Sequence, residues 1–320
     1  PQLLNRIVRL AAFQNPEFYS AQMMRLSTFG KPRVIGCAEE FPKHIALPRG
    51  CLNDLECFLA SHGISLAVQD ERYGGMAVAF RFHGVLQAEQ DTAVREMLRS
   101  DNGVLVAPTG FGKTVLAAWL IAKRKTNTLI LVHRTSLLDQ WRERLAMFLG
   151  ISVGEIGSFS EEKKLGGLVD VALLQSLSRK GEVNDIVANY GHVIVDECHH
   201  IPAFTFEQVV KQAKAKYVLG LTATPIRKDG HHPIIIMQCG PIRVRIRPQD
   251  VSQQQFRHVV VARKTQFCLA AEPGEQPIQT VYAALANDML RNQMILKDIR
   301  DALQDGRSPL VLTERKEHLE

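Results

Sequence analysis

The chain contains no apolar run long enough to cross a bilayer. Its first residues, Pro1-Gln2-Leu3-Leu4-Asn5-Arg6, are interrupted by polar and basic side chains and carry no secretory signal. A cytoplasmic location is the expectation, with no membrane partner. With no initiating methionine, the chain is expected to be a fragment or processed. None of the six cysteines, Cys37, Cys51, Cys57, Cys198, Cys239 and Cys268, forms a CxxC pair. That argues against a zinc ribbon and against a disulfide framework, and for buried free thiols in a reducing compartment. The pairs His199-His200 and His231-His232 are poor metal sites, because neighbouring side chains on a strand or helix point in different directions.

What is present is ordinary in bulk. A length of 320 residues has room for about two domains of roughly 150 residues each. A hydrophobic fraction of 46% and a charged fraction of 22% are those of a soluble globular protein. The net charge of +6 is compatible with nucleic acid without demonstrating it.

Three short stretches carry the chemistry. The first, Ala107-Pro108-Thr109-Gly110-Phe111-Gly112-Lys113-Thr114, follows the buried strand Val104-Leu105-Val106 and precedes a helix from Val115 to Ala122. Strand, glycine loop and helix are the setting of a phosphate loop. Gly110 and Gly112 let the backbone turn its N–H groups inward, and the helix N-terminus aims more N–H groups at the same point. Lys113 then reaches the β- and γ-phosphates of ATP, and the Thr114 hydroxyl reaches Mg²⁺. Thr109 and Phe111 complete the loop.

The second stretch, Asp196-Glu197-Cys198-His199-His200, follows the apolar strand His192 to Val195. It places a carboxylate at the carboxyl end of a parallel sheet, where ligands bind. Asp196 is suited to Mg²⁺, directly or through water. Glu197 is placed to orient and deprotonate an attacking water. The third, Leu221-Thr222-Ala223-Thr224-Pro225, follows the strand beginning at Tyr217. Alone it is an ordinary turn. In order behind the other two it becomes a signal.

Together these stretches resemble the superfamily 2 helicases and translocases of the DEAD/DEAH type. The resemblance implies a RecA-like α/β fold, ATP and Mg²⁺ as cofactors, and nucleic acid as partner. It identifies the glycine loop with motif I, Asp196 to His199 with motif II, and Thr222 and Thr224 with motif III, which couples hydrolysis to movement together with His199. Leu131-Val132-His133-Arg134 resembles motif Ia, a backbone contact to nucleic acid. Ala172 to Leu177, with Gln175 and Ser176, resembles motif Ib. Gln90 stands where the family places its adenine-reading glutamine. The likeness is closest to the XPB-like and UvsW-like duplex DNA helicases. The stretches Asn15 to Tyr19 and Leu47 to Gly50 also resemble helicase proteins of TOTE conflict systems.

The expected organisation has three parts. Residues 1–80 read as a small α+β domain, separate from the core, with a hairpin of Ile64 to Asp70 and Met76 to Phe82 turning at Tyr73-Gly74-Gly75. Its basic residues, Arg49 before a helix start and Lys43, are candidate DNA phosphate contacts. Residues 81–245 alternate strand and helix signals and form the ATPase domain. Within it, Ser136-Leu137-Leu138-Asp139 reads as a capping box. Residues 246–320 read as linker, then a helix Tyr282 to Leu303, then a strand at Pro309 to Thr313, resembling the opening of a second RecA-like domain. The family's motifs V and VI are not within the sequence.

The reading is an ATP-dependent DNA helicase or translocase, acting on duplex DNA, with partner proteins of a defence or repair system in view. Two alternatives stand beside it: the motor subunit of a restriction or defence nuclease, and a non-hydrolysing ATP-binding scaffold. Intact Lys113, Asp196 and Glu197 argue against the last.

Overall fold

The computed structural model describes residues 2–159, 167–179, 182–198, 203–224, 230–247, 259–268 and 277–313. His199, His200 and Pro225 lie outside the described residues, as do residues 314–320.

The apolar, β-branched runs form a seven-stranded sheet. Its order is Ile242–Arg245, Asn102–Val106, Tyr217–Thr222, His192–Val195, Thr128–Val132, Val169–Leu173, Gly157–Phe159, and each neighbouring pair runs parallel. A parallel sheet must be covered on both faces, and alternate side chains of each strand do feed two cores. Val104, Leu129, Leu131, Val193 and Val218 join one core, with Phe206 and Val209 of the helix Ala203–Gln212. Leu105, Ile130, Ile194, Leu219 and Leu221 join the other. That second core is closed by the helices Ala88–Leu98, Lys113–Arg124 and Thr135–Leu149. This is the RecA-like architecture expected, a parallel sheet with helices on both faces.

Strand register sets the site. Val106 pairs with Thr222, and Val195 pairs with Gly220. The carboxyl ends of these three adjacent strands therefore fall within two residues of one another, and the three motifs leave the sheet side by side.

The amino-terminal segment does not stand apart. The first compact unit runs from Pro1 to Gln253 without a break at residue 80. Ala11, Cys37 and Cys51 are buried in the first of the two cores. Gly50 packs so tightly on the helix Pro233–Cys239 that a Cβ there would fall 2.1 Å from the Ile236 carbonyl oxygen. The expected hairpin at 64–82 is absent. Instead, residues 73–83 form a strap across the lower edge of the sheet. The Tyr73 N–H donates to the Lys214 carbonyl (2.7 Å), Asn127 N–H to Met76 (2.9 Å), Val78 N–H to Lys125 (3.0 Å) and His83 N–H to Phe148 (2.7 Å). Segments read as a self-paired hairpin found partners in the chain leading into the strands, at Lys125 to Asn127 and Lys214 to Lys216, and sequence alternation does not distinguish the two.

Two smaller expectations also change. Ser136 lies within the helix Thr135–Leu149, whose N-cap is Arg134, so it makes no capping box. In the second compact unit, Gln254–Glu320, the expected single helix is two, Ile278–Asn287 and Met289–Gln304. Asp288 divides them, its carboxylate accepting the Arg291 N–H at 2.6 Å as an N-cap. Pro309 to Thr313 forms no strand.

Candidate functional site

Where the three strands end, the glycine loop and the acidic pair line one cleft of about 720 Å³. Thr109, Gly110, Gly112, Lys113, Thr114, Asp196 and Glu197 all face it. Gly110 and Gly112 adopt φ of 85° and 92°, a left-handed backbone that glycine tolerates and other residues rarely take. A Cβ on Gly112 would also meet Gln90 Nε2 at 2.7 Å, so the Gln90 amide would have to shift. Phe111 is buried and anchors the loop to the second core.

Lys113 heads the helix Lys113–Arg124. Its Nζ donates to the Ala107 carbonyl at 3.2 Å and lies 3.5 Å from Glu197 Oε1. The cation is thus held between the loop it belongs to and the acidic pair. Glu197 has φ of 46°, a left-handed conformation uncommon for a residue with a side chain. The Cys198 N–H rejoins the sheet by donating to Leu221. The turn therefore carries Glu197 past the strand end while leaving Cys198 buried beneath it.

Asp196 is buried, and both of its oxygens are engaged. Oδ2 accepts the indole N–H of Trp141 at 2.7 Å, and Oδ1 accepts the Glu197 N–H at 3.0 Å. Burial raises the Asp196 carboxyl pKa, the Trp141 hydrogen bond opposing it. Trp141 was legible in the sequence only as a core residue of an amphipathic helix. The available clue was chemical: a buried indole N–H needs an acceptor.

Gln90 caps the helix Ala88–Leu98. Its Oε1 accepts from the Gln87 N–H at 3.0 Å, and its Nε2 donates to the Phe111 carbonyl at 2.7 Å. It is thereby tied to the glycine loop. Thr222 Oγ1 donates to the Thr224 carbonyl (2.8 Å) and accepts the Thr224 N–H (3.1 Å), closing a compact turn beside the acidic pair.

The candidate nucleic-acid residues divide. His133 and Arg134 follow the strand Thr128–Val132, and Gln175 Nε2 donates to the His133 carbonyl at 3.3 Å. Ser176 adjoins Gln175 in the short helix Leu174–Leu177, so the two stretches that resemble motifs Ia and Ib are brought together. Lys43 is exposed in the loop between Glu39–Glu40 and Ile45–Ala46. Arg49 is a correction. Its guanidinium turns inward, NH1 donating to the Ala215 carbonyl at 2.8 Å and NH2 to Ala213. Those carbonyls lie between the helix Ala203–Gln212 and the next strand, and no local pattern marks them as waiting for a donor. His199 lies outside the described residues.

The cradle fits a nucleoside triphosphate with its divalent cation. The loop borders open space, since it lines the cleft and nothing stands within 4 Å of a Cβ placed on Gly110. The oxygen donors at hand, the Thr114 hydroxyl and the Asp196 carboxylate, suit Mg²⁺.

The chain is similar to several known proteins. Residues 83–227 match the family described as type III restriction enzyme, res subunit. The chain is 34% identical over 160 residues to a DNA 3'-5' translocase XPB2 of Sulfurisphaera tokodaii, spanning 50% of this chain and 35% of that protein. It is likewise 34% identical over 175 residues to a DNA 3'-5' helicase XPB of Mycobacterium tuberculosis, 53% of this chain and 32% of that one. The chain thus spans about a third of the length of these relatives. In fold it is similar to the crystal structure of the UvsW helicase of bacteriophage T4, with a TM-score of 0.57 at 16% identity, over 75% of this chain and 92% of that one.

Proposed function

From the match of residues 83–227 to the type III restriction enzyme res subunit family and the likeness to XPB-type DNA helicases and translocases, we propose that the chain carries the first motor domain of a superfamily 2 ATP-dependent DNA helicase or translocase. The observation that carries this reading is the placement of Lys113 Nζ 3.5 Å from Glu197 Oε1, beside a buried Asp196. Phosphate-binding and water-activating groups thus share one cleft.

When bound, ATP with Mg²⁺ supplies the transferable phosphoryl group and the charge that offsets its oxygens. The chain's own residues do the rest. The backbone N–H groups of Gly110 to Thr114 hold the phosphates. Lys113 exchanges Glu197 for the phosphate oxygens, which frees the Glu197 carboxylate to take a proton from water. Thr114 and Asp196 hold the cation, with Trp141 fixing the carboxylate. Gln90 is assigned to the base, through the amide N–H and lone pair that its bonds to Phe111 and Gln87 leave over. His199, Thr222 and Thr224 couple the cleft to movement. His133, Arg134, Gln175 and Ser176 form the track for a phosphate backbone, with Lys43 outside it.

Functionally, residues 1–80 serve as a DNA-contact module built onto the motor at 81–245, and residues 246–320 lead into a second motor domain. Duplex DNA as substrate and a cytoplasmic setting belong to this proposal. The likeness at Asn15 to Tyr19 and Leu47 to Gly50 supports a place in a TOTE-type defence system. A second reading, the motor subunit of a restriction nuclease, is favoured by the description of the matched family.

The test is ATP turnover with duplex DNA, single-stranded DNA and RNA in parallel. Stimulation by DNA supports the proposal. Turnover indifferent to every nucleic acid, or stimulated by RNA alone, overturns it.

A further inference from the structure

Phe29 is a large aromatic side chain left 95% exposed, and its setting is constructed. Ala21 ends the buried part of the helix Pro16–Met23, and the chain then makes an excursion that returns at Val34. The stem is closed by one buried residue. The Asn15 N–H donates to the Arg33 carbonyl (3.0 Å), and Asn15 Nδ2 donates to the Pro32 carbonyl (2.8 Å). At the far end, the Lys31 N–H donates to Thr28 (3.1 Å), and Gly30 has φ of 75°. This is a tight turn with Phe29 at its apex, of the kind that needs glycine at the third position. Ser27 Oγ accepts the Phe29 N–H at 3.3 Å, which fixes the approach to the apex.

The charge along this stretch of chain has one sign. From Phe18 to Ala38 the chain carries Arg25, Lys31 and Arg33 and no aspartate or glutamate. Met23, Met24 and Leu26 on the same excursion are also exposed, at 81%, 69% and 62%. An aromatic apex on a pinned stem, within a stretch of chain that carries three cations and no acidic residue, matches a stacked base with its phosphates, because every base has a π-face and every phosphate is an anion.

The stem is also joined to the motor. Gly230 lies against the Pro16 ring, where a Cβ would come within 2.5 Å, and the His231 ring meets Phe13 edge-on at 6.1 Å. Gly230 and His231 follow the Thr222-Ala223-Thr224 turn closely in sequence. A finger rooted there rests on the segment that leaves the candidate coupling motif.

We propose that the Ser27–Lys31 turn is a nucleic-acid finger: Phe29 stacks on an unpaired base at the end of a duplex, while Arg25 and Lys31 contact its phosphates. The proposal rests on the DNA-helicase reading of the cleft and adds to it a contact for strand junctions.

The experiment uses the 320-residue chain and two DNAs of equal duplex length, one blunt and one forked, with 2-aminopurine at the first unpaired position. The unaltered chain is expected to prefer the fork and to change the 2-aminopurine fluorescence. Phe29→Ala should weaken fork binding by about five- to a hundredfold, leave blunt-duplex binding unchanged and abolish the fluorescence change. Phe29→Trp should restore both. Arg25→Ala and Lys31→Ala should each flatten the logarithmic salt dependence by about 0.7–0.9. Failure of the unaltered chain to bind either DNA removes the function itself, and the finger with it. DNA binding that Phe29→Ala leaves unaltered on the fork, or lowers equally on both DNAs, removes the finger alone. Phe29-dependent binding to anionic phospholipid vesicles, with fork binding intact, assigns the turn to a membrane surface instead.

Discussion

Trp141, on the helix Thr135–Leu149, donates its indole N–H to Asp196 Oδ2 at 2.7 Å across 55 residues of sequence. The helix begins directly after Arg134, one of the candidate nucleic-acid contacts. One helix therefore joins the candidate nucleic-acid residues to the carboxylate that would hold the cation.

Trp141→Phe keeps most of the buried volume and removes the donor. Hydrogen bonds to charged groups are worth about 1.5–3 kcal/mol, so a tenfold or greater rise in the Mg²⁺ concentration needed for ATP hydrolysis is expected. Circular dichroism should show an unchanged fold. A normal Mg²⁺ requirement would reduce Trp141 to a packing residue.

Lys113→Ala and Glu197→Gln should separate binding from chemistry. The first removes the charge that meets the phosphates, and ATP affinity should fall tenfold or more, given about 1.5–3 kcal/mol for a charge-assisted hydrogen bond. The second keeps shape and removes the base, so ATP still binds while turnover drops about 10²–10⁴-fold. Isothermal titration and single-turnover hydrolysis read the two effects. Equal loss of binding in both variants would contradict the role given to Glu197.

Arg49→Ala should act on stability rather than on DNA. The variant leaves the carbonyls of Ala213 and Ala215 without their donor, and each buried unsatisfied group costs about 1–3 kcal/mol. The urea midpoint should fall, with no change in the salt dependence of DNA binding. Lys43→Ala, at an exposed site, should do the reverse and flatten that dependence by about 0.9.

Acid should weaken the fold above the range where carboxylates titrate. His192 is fully buried at the start of its strand. Arg124 NH1 lies 2.8 Å from its Nε2, and the Arg124 guanidinium lies 4.6 Å from the centre of the Tyr217 ring. Burial, then the Arg124 charge, holds the imidazole pKa well below its ordinary value of 6.5. The native state thus keeps His192 neutral while the unfolded chain protonates it below about pH 6.5. The contribution is fully present above that pH and is lost as pH falls, at up to about 1.4 kcal/mol per unit. Urea unfolding at pH 7.5 and 5.5 measures it, and His192→Asn should shrink the difference. An unchanged difference would assign the acid sensitivity to other groups.

Gly50→Ala places a methyl group 2.1 Å from the Ile236 carbonyl oxygen and 2.7 Å from that of Met237. Backbone cannot rotate aside as a side chain can. The expected loss is about 1–3 kcal/mol, read as a lower unfolding midpoint, with proteolysis entering first between residues 1 and 60. Wild-type stability would mean that this junction is looser than its geometry implies.

Sequence alone determined the parallel sheet and which of its motifs line the candidate nucleotide cleft. The reason is that each motif is contiguous: Gly110, Gly112, Lys113 and Thr114, or Asp196 and Glu197, follow directly from an apolar strand. Parallel strands of similar length bring those ends together without further information. Tertiary structure decided what distant segments do to one another. Trp141 found Asp196, Arg49 found the Ala213 and Ala215 carbonyls, Arg124 turned from the end of its helix to His192, and residues 73–83 bound the sheet edge rather than themselves. In each case a donor that had to be satisfied on burial had several acceptors compatible with its local sequence. Only the packing of remote segments selected one.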